Sequence, residues 1–220
     1  MDISSAAFAR FSQRMSKIRT EAPASIQAIK GDFLPMLEKD PEQQAAFIDL
    51  AYGVVTKYGE ASGALSAEMY DAIAELSGVI VPSAIPAETP PYWEIRKTVD
   101  GVLKQSHDPN MMAGAIGRQI KKVGTDTMLQ NARRDGAQCA WIPHGDSCPF
   151  CTMLASRGWE DSNYTVEHLH ANCDCEYCVR FDGKTNVKGY DPEKYKSMYD
   201  SAEGDNWREK LKSMRSEIEI

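Results

Sequence analysis

Two short stretches of the sequence carry the side chains that could do chemistry. Cys148-Pro-Phe-Cys151 is a C-x-x-C pair, a spacing that brings two thiolates to one ion from a tight turn. About 17 residues later comes His168-Leu-His170-Ala-Asn-Cys173-Asp-Cys175-Glu-Tyr-Cys178, in which His170 stands three residues before Cys173, and Cys175 three before Cys178. Tetrahedral zinc is held by two such pairs converging from separate elements. The expected ligand set is Cys148, Cys151, His170 and either Cys173 or Cys175, around a structural zinc. The alternative is a group of reduced, partly buried thiols with one incidental disulfide. All six cysteines fall between Cys139 and Cys178, and the first 138 residues have none. A chain stapled by disulfides would spread them along its length, so a local metal site or crosslink fits better. Cys139 reads as a buried strand residue, and His107 and His144 as turn residues without a catalytic role.

Catalytic uses of these groups fit less well. Zinc deaminases place H-x-E well upstream of P-C-x-x-C, so that a Glu can move protons beside the metal-bound water. Here His144-Gly145-Asp146 stands immediately before Ser147-Cys148, with Asp for Glu and no Pro before the first Cys. A thioredoxin-like redox pair would need a βαβ setting, and no parallel-sheet pattern precedes Cys148. Phosphate-binding, nucleophile-elbow and zinc-protease motifs are absent. The chain reads as a non-enzyme.

The elements that must position these groups are mostly helices. Phe8, Phe11, Met15 and Ile18 step by three and four, which puts them on one helical stripe. Asp40-Pro41-Glu42 is a helix start: Asp caps free amides, and Pro suits a first turn where its missing N–H is not needed. Phe47, Leu50, Ala51, Val54, Tyr58, Ala61, Leu65, Met69, Ala72 and Leu76 continue the rhythm over roughly 45 Å. Gly53, Gly59 and Gly63 each weaken that helix by about 1 kcal/mol relative to Ala. They predict either a break near Tyr58-Gly59 or a close helix crossing there. Pro82, Pro86, Pro90 and Pro91 mark a linker over 82–91. Residues 92–106 form a short helix through Trp93, Val99 and Leu103. Asp108-Pro109 starts another, with Met112, Ile116, Ile120 and Val123 on its apolar side and Gly136 as its stop.

The pattern changes at Gln138. Cys139 to Pro143 resembles a short strand, Cys148 to Ser156 a knuckle with a helical turn or two, and Cys173 to Phe181 a second strand. Alternation along that strand would put Cys173 and Cys175 on one face. Asp191-Pro192 starts a last helical region, with Trp207, Leu211, Met214 and Ile218 in a stripe that stays exposed unless the helical body or another copy of the chain covers it. The expected fold is mainly α: a helical body with a small Cys/His-rich β-hairpin module, zinc-ribbon-like, and a C-terminal helix. The segments are 1–135 (helical domain), 136–182 (Cys/His-rich α+β module) and 183–220 (helical tail).

Composition narrows the function classes. The 220 residues are 42% hydrophobic and 26% charged, ordinary globular values, with a net charge of −7. No apolar run approaches the roughly 18 residues of a membrane span, and Met1-Asp2-Ile3-Ser4-Ser5 lacks the layout of a secretory signal. Residues 40–100 hold three positive and ten negative side chains, whereas residues 101–135 hold six and three. That second stretch supplies Arg118, Lys121, Lys122, Arg133 and Arg134, the one candidate phosphate-binding patch, against the simpler reading of a solvated helix face.

The segment Gly145-Asp-Ser-Cys148-Pro-Phe-Cys151-Thr-Met-Leu-Ala-Ser-Arg-Gly158 resembles the G-D-x-C-x-F-C-x-M-L-A-S-R-G signature of the phage Mu F head-morphogenesis (MuF-like) proteins. His170-Ala-Asn-Cys173-Asp-Cys175 is similar to that family's H-x-x-C-x-C close. Tyr58 to Asp71, Asn131-Ala-Arg-Arg-Asp135 and Tyr190-Asp-Pro192 resemble text of actinophage-type and firmicute prophage-type members, so the likeness spans roughly residues 45–200. Cys178 and His168 are extra to the pattern. The resemblance implies a non-enzymatic minor head protein of a tailed phage or prophage, built in near the portal in few copies and associated with DNA packaging or ejection. Its Cys/His cluster would be a structural knot. The implied partners are portal or major capsid protein, with packaged DNA and self-association as further contacts and no membrane. The implied location is the capsid interior or portal vicinity, after assembly in the host cytoplasm. A zinc-containing nucleic-acid-binding module is the alternative.

Overall fold

The computed structural model describes residues 2–3, 5–27, 34–143, 148–163 and 175–218. Five helices make the body: α1 (Ser5–Gln27), the single turn α2 (Leu34–Leu37), α3 (Pro41–Leu76), α4 (Tyr92–Leu103) and α5 (Pro109–Asp135). Their starts follow from the Asp-Pro pairs. Asp40 is extended and its carboxylate accepts the amides of Glu42 and Gln43 at 3.1 and 3.2 Å, and Asp108 accepts that of Asn110 at 2.9 Å. α5 stops where Gly136 takes the left-handed conformation (φ 68°), which lets the Ala137 amide reach back to the Ala132 carbonyl.

α3 runs unbroken for 36 residues, about 54 Å. Its glycines mark a crossing, not a break. A Cβ on Gly59 would lie 3.1 Å from both Thr89 and Val123, and one on Gly63 3.2 Å from Val123 and 3.4 Å from Pro86. α5 answers with Gly124, whose added Cβ would meet the Ser62 and Ser66 hydroxyls at 2.6 and 2.9 Å. Small residues on both helices thus let two backbones and the proline segment share one narrow space. The apolar stripe of α3 is narrower than its sequence suggests: Leu50 and Leu76 are exposed.

The segment between α3 and α4 is a strap pinned by side chains. Asp71 accepts the Ala84 amide at 2.8 Å, Asn131 the Ile85 amide at 3.0 Å and the Thr127 hydroxyl the Ala87 amide at 2.9 Å. Asn131 and Gln130 in turn donate to the Ile85 carbonyl, and Arg134 to the carbonyls of Pro82 and Ser83. Prolines exclude a regular ladder here, so the backbone groups are satisfied one by one.

The second half adds β2 (Gln138–Ile142), α6 (Pro149–Ala155), β3 (Glu160–Asp161), β4 (Glu176–Arg180), β5 (Asn186–Val187), α7 (Pro192–Asp200) and α8 (Trp207–Ile218). β2 lies between β3 and β4, antiparallel to both, with Ala140 opposite Cys178 and Trp141 opposite Tyr177. The expected hairpin is thus two strands of a three-stranded sheet, joined through α6 and β3 instead of a tight turn. β1 (Asp2–Ile3), unforeseen in the sequence, pairs in parallel with β5. Trp93, expected on an apolar face, is exposed, and Ile95, Val99 and Leu103 are the buried positions of α4. The terminal stripe is covered from within the chain: Leu211 and Met214 are buried where α8 meets α6, while Trp207 stays half exposed.

Two hydrophobic clusters hold the molecule. One packs Phe47, Ile48 and Val55 of α3 against Ile95 and Val99 of α4 and Met112 and Ile116 of α5. The other runs from Phe8, Phe11 and Met15 of α1, through Tyr70 and Ile73 of α3 and Met128 of α5, into β2, β4 and α6 and on to Leu211. Each fully buried side chain of this size contributes about 1.5–3 kcal/mol of transfer free energy.

Candidate metal centre

Cys148 sits in extended conformation at the start of α6 (φ −64°, ψ 157°), and Pro149 fills the first helical position. Its Sγ accepts the Cys151 amide at 3.5 Å, while the Cys148 carbonyl accepts the Thr152 amide at 3.0 Å. Cys148 is half-buried, and Cys151, one turn on, is buried in the core that α6 shares with the sheet. Cys175 is buried immediately before β4. The thiols of Cys148, Cys151 and Cys175 thus belong to one contiguous packed region, with Cys148 at its more accessible edge.

His170 and Cys173, the other expected ligands, lie outside the described residues, as do His168 and His144. Among the described residues no group of three or more His, Cys, Asp or Glu side chains could hold a metal ion. The described part of the candidate centre is therefore its C-x-x-C half, and Cys175 belongs to the same large apolar cluster. The donor chemistry of that half, two sulfurs one helical turn apart with one already taking an amide, suits zinc.

Cys139 and Cys178 stand apart from it. The register pairs Cys139 with Val179 and Ala140 with Cys178, and successive strand residues alternate, so the two thiols point to opposite faces of the sheet. Burial pushes the Cys139 thiol up to about 12 and the Cys178 thiol higher still. Both are inert packing groups. The sheet is anchored on the body through Trp141, whose ring meets Tyr177 edge-on at 4.5 Å and carries the Lys121 ammonium 5.1 Å from its centroid.

The five basic residues of α5 do not form one surface. Lys121 is buried under Trp141. Lys122 contacts Asp126 at 2.6 Å. Arg133 donates from Nε to the Ser162 carbonyl at 3.2 Å. Arg134 holds Asp135 through two 2.7 Å bonds and the strap through two more. Arg118 is exposed and faces a groove beside α4. Their spacing along one helix gave no signal of these separate uses. His107, expected on a turn, is there, with Nε2 3.1 Å from a Glu38 carboxylate oxygen.

No helix among the described residues is long and apolar enough to cross a membrane. A family profile described as VG15 protein matches residues 2–202, which takes in the helical body, the strap, the sheet and α7. No curated protein matches the chain, and neither does any solved structure. The matching profile carries the VG15 description and not that of the Mu F-like proteins. With nearly all of its described fold inside the match, the chain belongs to the VG15 protein family, a family of viral proteins.

Proposed function

We propose that this chain is a structural, non-catalytic minor head component of a tailed phage or prophage, taken up near the portal and associated with DNA packaging or ejection. The observation that carries the reading is the Cys148-to-Gly158 motif, whose helix is capped by Cys148 and packs into the core. Buried motif side chains such as Met153, Leu154 and Ala155 serve packing, which suits a building part better than an enzyme. Membership of a viral family across residues 2–202 agrees with it. The partners would be portal or major capsid protein, and the location the virion interior after assembly in the host cytoplasm. Mass spectrometry of gradient-purified virions tests this: the chain should band with heads in few copies per particle. Its absence from both full and empty heads overturns the reading.

The same reading includes a structural zinc on Cys148, Cys151, His170 and either Cys173 or Cys175. Such a site contributes on the order of 10 kcal/mol to a small module. Elemental analysis of chain purified without chelator should give one zinc per molecule, lost in Cys148→Ser and in one of Cys173→Ser and Cys175→Ser. Sub-stoichiometric metal in the wild-type chain sinks the zinc and leaves the virion reading standing. A nucleic-acid-binding role is less favoured, because Lys121 is buried and Lys122 and Arg134 are ion-paired. DNA contact would rest mainly on Arg118, and salt-dependent duplex binding measures it.

A further inference from the structure

Between α4 and α5 runs an open groove of about 630 Å3. It follows α4 from Trp93 to Gln105, roughly 18 Å or three helical turns. That is too large for one side chain and right for one face of a short helix. Gly101 and Ala115 are the small residues among those that line it. A Cβ on Gly101 would meet nothing within 4 Å, so packing inside the chain does not require glycine there. Glycine in a helix interior is unfavourable without such a reason.

The walls are amphipathic in a particular way. Trp93 and Val102 offer apolar surface, and Lys97 and Arg118 stand exposed with no ion-pair partner among the described residues. One carboxylate, Glu94, lines the groove beside these two cations. Among the lining residues, Thr98 donates to the Glu94 carbonyl, so its oxygen is left to accept from Gln119 Nε2 at 2.8 Å. That fixes the amide, and Gln119 Oε1 remains buried with no hydrogen-bond partner.

We propose that the α4–α5 groove is a docking site for an acidic amphipathic helix of a partner protein. The small lining residues admit a close backbone approach, Trp93 and Val102 take its apolar side chains, and Lys97 and Arg118 meet its carboxylates. A nucleic-acid strand fits less well: it carries a charge at every nucleotide and would lay one against Glu94, whereas a helix can place its carboxylates opposite Lys97 and Arg118 alone. The proposal does not depend on the virion reading.

Selection of a displayed library of 14-residue helical peptides on the full chain tests it. Binders should carry Glu or Asp flanking apolar residues at three/four spacing. They should lose at least tenfold in affinity against Gly101→Gln, whose thermal midpoint should equal or exceed that of wild type because the side chain enters open space. The Lys97→Glu/Arg118→Glu chain should prefer the same peptides with Glu changed to Lys. The proposal is overturned if no helical peptide survives selection. Binders indifferent to Gly101→Gln, or displaced by a dT12 oligonucleotide of higher affinity, overturn it too.

Discussion

Among single residues, Asp135 ties Tyr70 and Arg134 to one carboxylate. It accepts the Tyr70 hydroxyl at 2.7 Å and two bonds from Arg134. The Arg134 bonds hold its carboxyl below the usual range, opposed by desolvation and helped by the Tyr70 bond; burial, and after it the same carboxylate, raises the Tyr70 hydroxyl. A group with a lowered folded value contributes stability above its unfolded value, near pH 4, and loses it as pH falls through the folded one. Asp135→Asn should therefore cost about 1–3 kcal/mol at pH 7, a gap that closes below about pH 4 in thermal melts. A gap constant from pH 7 to 3 would show that the charge plays no part. The enclosed thiols give a second residue-scale outcome. Iodoacetamide at pH 8 should label Cys139 and Cys178 in the folded chain roughly a hundredfold or more slowly than in urea, because their protection requires unfolding to be lifted. Site-resolved mass spectrometry reads this directly. The motif text announced Cys148 and Cys151, and Cys139 read correctly as a buried strand thiol. What Arg134 and Lys121 do was not legible. Their bonds go to residues about 50 and 20 positions away in the chain, the Pro82–Ser83 carbonyls and the Trp141 ring.

Among elements, the strap illustrates why a linker was readable but its role was not. Four prolines forbid helix and ladder alike, which the sequence states plainly. That its amides find Asp71, Asn131 and Thr127 depends on α3 and α5 crossing closely, and three glycines and two serines permit that crossing. Asn131 is the hub, holding both the amide and the carbonyl of Ile85. Asn131→Ala should destabilise by about 1–3 kcal/mol, since it leaves the Ile85 amide without its partner and the Ile85 carbonyl with Gln130 alone. It should also open residues 79–91 to limited proteolysis, which mass mapping of the fragments would locate. Cleavage unchanged from wild type would mean that the prolines alone stiffen the segment. Helix starts were the most legible elements, because Asp-Pro at 40, 108 and 191 states cap and first turn within two residues. The two-residue strands β1, β3 and β5 were not, since nothing so short has a period.

For the whole molecule, the decisive fact is that one apolar cluster passes through the helical body, the cysteine-bearing sheet and the last helix. Leu211→Ala, far in sequence from α3, should lower the stability of the entire fold by about 2–5 kcal/mol. Helix content and tryptophan fluorescence should then melt together. Two separated transitions would instead divide the body from the module. Such coupling is invisible in a segment-by-segment reading, where composition shifts at Gln138 and again after Phe181 suggest separable parts.

The pairing of Asp2–Ile3 with Asn186–Val187 bears on how the chain is made. During translation, at roughly 5–20 residues per second, the first strand must wait on the order of ten to forty seconds before its neighbour leaves the ribosome. Until then Ile3, fully enclosed in the finished fold, has no β5 to lie against. Asp2–Ile3 is thus synthesised long before β5 and seated only after it, so slowing translation ahead of Asn186 would prolong the interval in which Ile3 lacks that cover.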